Sequence, residues 1–160
     1  MRPDRDPYFM KMAALIASRS TCLRRSVGCV LVNERHHVLA TGYNGVAAGL
    51  SHCNEPTEKF LDGTPKLYGN SCEGVKSPSG QGLDQCQAVH AEQNALLQCR
   101  NAYEIHTCYT TTLPCITCMK LLMNTSCQRI VFGMSYPHKE VVEDLASKRG
   151  IELVFHVGTP

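Results

Sequence analysis

The stretch RIVFGMSYPHKEVVEDLASKRGIELVF, residues 129–155, decides the fold class of this chain. Its two ends, Arg129–Gly133 and Ile151–Phe155, are short apolar runs with the composition of buried strands. Between them, Lys139–Arg149 has a helical pattern, and Gly150 follows it as a C-terminal cap. Two strands joined through a helix form a right-handed crossover and run parallel. The last two strands are therefore predicted to be parallel, which is typical of an α/β fold.

Upstream of this unit, hydrophobic periodicity predicts three more helices and three more strands. The helices are expected at residues 7–20, 88–100 and 115–124, and the strands at residues 27–32, 38–43 and 105–111. Asp6 is expected to cap the first helix, with Pro7 at its first position. Together these elements predict a three-layer α/β/α sandwich around a five-stranded mixed sheet.

The composition is that of an ordinary globular protein. The chain has 160 residues, of which 43% are hydrophobic and 19% charged, so we expect a single domain over residues 1–160. The net charge of +2 is too small to favour nucleic acid or an anionic membrane as a partner. No apolar run approaches the ~18 residues of a membrane span. Because Met12–Ala17 is also too short for the apolar part of a secretory signal, we expect a cytoplasmic protein.

Residues 45–86 differ from the rest of the chain. Gly, Pro, Ser and Asn recur there without helical or strand periodicity, and several of the ten cysteines fall in or beside this stretch. A structureless segment of this length is unusual inside a domain, so something other than a core should hold it. In a reducing compartment, cysteines serve as metal ligands, nucleophiles or small buried residues more often than as disulfides. We interpret residues 45–86 as a cysteine-rich insertion.

Two short motifs supply metal ligands. The sequence His90-Ala91-Glu92 opens one predicted helix, and PCITC, residues 114–118, opens the next. Together they offer one imidazole, from His90, and two thiolates, from Cys115 and Cys118. Three protein ligands leave the fourth position of a tetrahedral zinc open, as in catalytic sites. A helix N-terminus also favours the thiolate form that metal binding needs.

Glu92 turns this predicted metal site into a predicted catalytic site. Residues two apart do not share a helix face, so Glu92 is not expected to be a fellow ligand of His90. A carboxylate at this place can take a proton from a metal-activated water and deliver it to a leaving amine. The alternative is a closed structural zinc site completed by a fourth residue such as Cys86. That alternative leaves Glu92 without a role.

The pattern HxE followed by PCxxC resembles the signature of the zinc-dependent deaminases. Four stretches resemble the deoxycytidylate (dCMP) deaminase branch in particular, over about residues 6–157: STCLRRSVG at 20–28, TGYNG at 41–45, HAEQNA at 90–95 and RIVFG at 129–133. The resemblance implies a cytidine-deaminase-like fold and the hydrolytic deamination of dCMP to dUMP and ammonia, which feeds thymidylate synthesis.

The resemblance also implies roles for individual residues. Glu92 would carry the proton, and His90, Cys115 and Cys118 would hold the catalytic zinc. The implied substrate contacts are the backbone N–H of Ala91 with the pyrimidine O2, the carbonyl of Leu113 with the amino group, Asn44 with sugar and base, Tyr136 beside the nucleotide, and Arg24 or Arg25 with the phosphate. Members of this branch are often hexamers regulated by dCTP and dTTP, so we expect a homo-oligomer, nucleotide effectors and Mg²⁺ accompanying an effector.

Four further cysteines form the basis of a second hypothesis, a structural zinc that ties the insertion to the end of the first helix. Its predicted ligands are Cys22, Cys53, Cys72 and Cys86. Metal binding can supply folding free energy to a segment that lacks a core. The alternatives are that some of these thiols are simply buried, or that His52 replaces one of the ligands.

Other functions stay open at this point. Another cytosine substrate, such as dCTP or cytidine, is the nearest alternative to dCMP. A nucleic-acid base deaminase fits less well, because such enzymes need basic and aromatic grooves, whereas this chain has no Trp and only four Phe. A non-catalytic zinc-binding module is the alternative from a different class. It would have no use for Glu92.

Overall fold

This computed structural model describes residues 1–55, 63 and 73–158. Within them the chain forms α-helices at Arg5–Ala17 (α1), Ala91–Gln98 (α2), Ile116–Met123 (α3) and Lys139–Arg149 (α4). Its strands are Gly28–Val32 (β1), Val38–Tyr43 (β2), Gly45–Val46 (β3), Ala88–Val89 (β4), Thr107–Thr110 (β5), Arg129–Phe132 (β6) and Glu152–Phe155 (β7). Short 3-10 helices occupy Glu73–Lys76, Leu83–Gln85 and Ala102–Glu104. None of the described helices is long and apolar enough to cross a membrane.

Five strands form one mixed sheet in the order β2-β1-β5-β6-β7. β1 is antiparallel to both β2 and β5, whereas β5, β6 and β7 are parallel. In the parallel part, Thr110 lies opposite Phe132, and Phe132 lies opposite Phe155. The predicted five-stranded mixed sheet and its parallel final strands are therefore confirmed. β3 and β4 pair separately as a small antiparallel ribbon.

Alternation along the strands divides the core between the two faces of the sheet. In β1, Cys29 and Leu31 pack on one face, and Val30 and Val32 pack on the other. α1 covers the second face through Phe9, Met10 and Ala13. Residues of α2, α3 and α4 cover the first, namely Ala91, Ala95, Met119, Leu122, Val142 and Ala146. The three-layer α/β/α architecture is confirmed.

Two predicted helix starts are wrong. The helix predicted from residue 88 begins at Ala91, because Ala88–Val89 pairs with Gly45–Val46 as a strand. The first helix begins at Arg5 with Asp4 at its N-cap, so Asp6 does not cap it. The predicted cap at Gly150 is confirmed, since this glycine adopts the left-handed conformation, φ 77°, that ends many helices.

Asp6 instead joins α1 to the sheet. The Arg129 guanidinium donates two hydrogen bonds to its carboxylate, at 2.8 and 2.7 Å, and the Tyr109 hydroxyl donates a third at 2.9 Å. Hydrogen bonding from Arg129 lowers the pKa of Asp6. A bidentate Arg–carboxylate pair is among the stronger polar contacts, so this cluster fixes how α1 lies across β5 and β6.

Gly42 allows α2 to lie directly on β2. A Cβ atom at this position would be 2.2 Å from the Ala91 carbonyl oxygen and 2.4 Å from the Ala95 amide nitrogen. Real Cβ atoms do not approach backbone so closely, and neither contact can be relieved by a flexible side chain. The close approach sets the position of the first turn of α2, which begins directly after His90.

We predict that Gly42→Ala destabilises the protein by about 2 to 3 kcal/mol, because α2 must move away from the sheet. Differential scanning calorimetry should show a fall in Tm of roughly 5 to 10 °C. Gly45→Ala is the matched control, since a Cβ there would meet only the Tyr43 ring, at 3.8 Å. Equal losses of Tm in the two variants would contradict the argument.

Candidate metal and catalytic site

The N-termini of α2 and α3 lie close together. His90 is the N-cap residue of α2, and Cys115 is the N-cap residue of α3. α2 begins where it does because the His90 amide donates to the Gln93 side-chain oxygen at 2.8 Å, closing the first turn. In α3, the Cys118 amide points at the Cys115 sulfur, 3.5 Å away. The structure thus brings together the three predicted ligands, although His90 is 25 residues before Cys115 in the sequence.

The spacing of the three ligand atoms fits a metal ion. His90 Nδ1 lies 3.4 Å from the sulfur of Cys115 and 3.4 Å from that of Cys118, and all three atoms lie within 4.8 Å of one another. Around a tetrahedral zinc, bond lengths of roughly 2.1 Å to nitrogen and 2.3 Å to sulfur place these ligand atoms about 3.6 Å apart. One imidazole and two thiols are also ligands that zinc prefers. The donor set and its spacing both fit zinc.

The local electrostatics favour the thiolate at Cys115. Hydrogen bonding with Cys118, followed by hydrogen bonding with His90, lowers the pKa of Cys115 to about 4. Hydrogen bonding with Cys115 in turn raises the pKa of His90. Cys115 is 7% exposed and Cys118 is fully buried, so bulk water does not compete for these contacts. Thiolate is the form of cysteine that binds metals.

Glu92 lies in the first turn of α2, next to the ligands but not among them. Its side chain is only 4% exposed, and burial raises the pKa of its carboxyl. The Thr110 hydroxyl, at the end of β5, donates to Glu92 Oε1 at 3.2 Å. The sequence did not indicate Thr110, because nothing in the spacing of a strand residue marks it as a partner of a helix residue. Glu92 is thus a buried carboxylate facing the same cavity as the ligands His90 and Cys115.

A cavity opens onto this cluster. All of the residues for which substrate contacts are predicted line it: Arg24, Arg25, Asn44, Ala91, Leu113 and Tyr136. Ser79 and Leu83, which were not anticipated, form part of its wall from the insertion. The structure brings these residues together, and their contacts with a substrate stay predictions.

Asn44 is engaged with the protein itself. Asn44 is only 8% exposed, and its Oδ1 accepts a hydrogen bond from the Val27 amide at 2.8 Å. Nδ2 donates to the Arg25 carbonyl at 2.7 Å. A side-chain amide has two N–H groups, so one remains for a ligand. Asn44 therefore shapes the loop 25–27 in addition to lining the cavity.

The two arginines have different surroundings. Arg24 Nη1 donates to the carbonyls of Gly74 at 2.7 Å and Gln81 at 2.9 Å, with longer contacts to two carbonyls between them. Arg24 thereby ties the insertion to the loop that follows α1. Arg25 instead lies over the Tyr136 ring, 5.4 Å from its centroid. Sequence alone could not separate these roles, because the insertion carries no periodic pattern that would place its carbonyls.

The second predicted metal site is only partly within the described residues. Cys22 and Cys86 line the cavity, and Cys53 is buried, whereas Cys72 lies outside the described part of the chain. His52 Nδ1 lies 3.3 Å from the Thr21 hydroxyl, so this part of the insertion does reach the end of α1. Among the residues that the structure describes, only His90, Cys115 and Cys118 place three ligand atoms close enough together to hold a metal ion. The structural zinc stays a hypothesis.

The chain is similar in sequence to known proteins. The family model of the cytidine and deoxycytidylate deaminase zinc-binding region matches residues 3–134. Deoxycytidylate deaminase of Schizosaccharomyces pombe is 38% identical over 154 residues, which cover 95% of this chain and 44% of that protein. Deoxycytidylate deaminase of Mycobacterium phage D29 is 39% identical over 132 residues, which cover 82% of this chain and 95% of that protein. The chain thus spans less than half the length of its yeast relative.

Solved structures agree on the fold. The dCMP deaminase of cyanophage S-TIM5, determined in complex with dCMP and dUMP, superimposes with a TM-score of 0.69 at 24% identity. The match covers 98% of this chain and 99% of that one. At this level of identity the likeness concerns the arrangement of the backbone.

We predict that Cys115→Ser lowers the zinc content of the purified protein by one ion per chain, because one of the two ligand sulfurs is lost. Inductively coupled plasma mass spectrometry measures this directly. Cys99→Ser is the matched control, since Cys99 lies at the end of α2 and hydrogen-bonds the Asn101 carbonyl. An unchanged zinc content in Cys115→Ser would contradict the assignment, and a wild-type total of one ion would reject the structural zinc.

Proposed function

The chain belongs to the cytidine and deoxycytidylate deaminase family, and from that membership we propose that it hydrolyses dCMP to dUMP and ammonia. The observation that carries the proposal is a buried carboxylate, Glu92, facing the same cavity as the ligand group of His90, Cys115 and Cys118. The names of the relatives at 38 and 39% identity support dCMP as the substrate.

Three residues of the site would bind the metal, and Glu92 would transfer the proton. His90 Nδ1 and the two thiolates would hold zinc, whose Lewis acidity lowers the pKa of water and so supplies a nucleophile at neutral pH. Glu92 takes a proton from the attacking water and delivers it to the amino group that leaves C4 of cytosine. One carboxylate can serve both steps because it faces the cavity and is shielded from bulk water, which would otherwise exchange its proton.

The cavity wall supports a nucleotide as the ligand. The backbone N–H of Ala91 and the carbonyl of Leu113 are proposed to bind the pyrimidine, with Asn44 beside the sugar. Arg25 is the better candidate for the phosphate. Four carbonyls already share Nη1 of Arg24. Within the described part of the chain, the Arg25 side chain donates to one carbonyl, that of Ser135 at 3.5 Å, and lies over the Tyr136 ring.

Further properties are proposed on the resemblance alone. We expect a homo-oligomer, with a hexamer as the first expectation, regulation by dCTP and dTTP with Mg²⁺ accompanying the effector, and a cytoplasmic location.

The proposed structural zinc would join Cys22 to the insertion cysteines. Its support is that the insertion approaches the end of α1 through His52 and Thr21. dCTP, cytidine and deoxycytidine remain the alternative substrates.

We predict that Glu92→Gln keeps the fold and the zinc content but lowers kcat on dCMP by about 10³-fold or more, because an amide cannot carry the proton. Loss of cytosine absorbance measures turnover, with dCTP, cytidine and deoxycytidine assayed beside dCMP. Glu140→Gln is the matched control, an exposed glutamate in the first turn of α4. Near wild-type turnover by Glu92→Gln would exclude the proton-carrying role, and preference for an unphosphorylated nucleoside would exclude dCMP.

The two arginines are separated by their effects on phosphorylated and unphosphorylated substrates. Arg25→Gln is expected to lower kcat/KM for dCMP about 10-fold or more while changing that for deoxycytidine little, because it loses a contact to phosphate. Arg24→Gln should lower both values by a similar factor, since it loosens the cavity wall. A selective loss of dCMP activity in Arg24→Gln would reverse the assignment.

A further inference from the structure

The orientation of the Glu92 carboxylate depends on more than its own helix. The terminal torsion of a glutamate is broad, so a carboxylate without a partner turns freely between its two oxygens. Glu92 is 4% exposed, and the Thr110 hydroxyl lies 3.2 Å from its Oε1. The Glu92 backbone amide and the Cys118 side chain also hydrogen-bond this carboxyl. Thr110 adds a donor that comes from the sheet and not from a helix, and this donor defines which oxygen faces the protein and which remains for the cavity.

The position of Thr110 makes its hydroxyl a fixed hydrogen-bond donor. It is fully buried at the last position of β5, a central strand bonded to β1 on one side and β6 on the other. Its β-branched side chain has few rotamers, so strand and side chain together fix the hydroxyl. The hydroxyl also lies 3.0 Å from the Thr112 carbonyl, so its one proton has two acceptors side by side. The carboxylate is the stronger acceptor when it is charged.

We propose that Thr110 is a positioning residue for the reaction: its hydroxyl holds Glu92 Oε1 and thereby leaves Oε2 available to the substrate cavity. The proposal rests on the proposed role of Glu92 as the proton carrier. The cavity lining includes Glu92 but not Thr110. Loss of the hydroxyl should therefore affect the chemical step and not the binding of the nucleotide.

The chain contains a matched control for this proposal. Thr107 begins the same strand, is 1% exposed, and hydrogen-bonds the His106 ring at 2.8 Å. It lies about 10 Å from Thr110 along β5, with its side chain on the opposite face of the sheet. Thr107→Val therefore removes a buried threonine hydroxyl from the same element without touching Glu92.

We expect zinc-loaded Thr110→Val to lose about 10- to 100-fold in kcat on dCMP, the factor that a hydrogen bond to a charged group represents. KM and zinc content should stay within two-fold of the wild type. Thr110→Ser restores the hydroxyl and should recover most of kcat, and Thr107→Val should leave kcat unchanged. An unchanged kcat in Thr110→Val, or an equal loss in Thr107→Val, would overturn the proposal.

Crystal structures of zinc-loaded wild type, Thr110→Val and Thr107→Val give a readout that is independent of turnover. The proposal predicts one Glu92 conformer in the wild type and Thr107→Val, and a rotated or divided carboxylate in Thr110→Val. A Glu92 carboxylate that superimposes in all three would overturn it. If the wild type deaminates no cytosine substrate, the proposed function fails, while the position of Glu92 still decides whether Thr110 orients it.

Discussion

The convergence of one imidazole nitrogen and two sulfurs, with 3.4 Å from His90 Nδ1 to each sulfur, is the constraint on which the rest of this structure depends. Three groups so close together in a buried site are costly unless something compensates them, because buried polar groups need partners. A zinc ion bound by all three residues would provide that compensation. Because all three residues lie at helix starts, their positions follow from where α2 and α3 begin.

Much of the surrounding architecture serves to fix those helix starts. Gly42 lets α2 rest against β2, and the Gln93 side chain closes its first turn. On the opposite wall of the cavity, the Asn44 side chain hydrogen-bonds the backbone of residues 25 and 27. Arg24 donates hydrogen bonds to carbonyls of the insertion. The candidate catalytic cluster therefore lies on regular helices and a central strand. The wall that would recognise the nucleotide is made of loops joined by hydrogen bonds, as is common where specificity is set.

The sequence predicted what depends on local pattern and could not predict what depends on long-range contact. Periodicity gave the five sheet strands and the parallel final pair, and motif spacing gave His90, Glu92, Cys115 and Cys118. Periodicity predicted the start of α2 at the wrong residue, since the two-residue pairing of Ala88–Val89 with Gly45–Val46 has no sequence pattern of its own. Local pattern predicts Asp6 as a helix cap, which is wrong, because its partner Arg129 is distant in sequence. The contacts of Arg24 with the insertion and of Thr110 with Glu92 could not be predicted for the same reason.

The most direct test of the central claim is a crystal structure of the zinc-loaded protein with anomalous scattering measured at the zinc edge. The account predicts one zinc bound by His90 Nδ1 and the sulfurs of Cys115 and Cys118, with its fourth position open to the cavity and to Glu92. A fourth protein side chain, such as Cys86, on that ion would contradict it. So would a zinc ion located elsewhere while these three residues bind none.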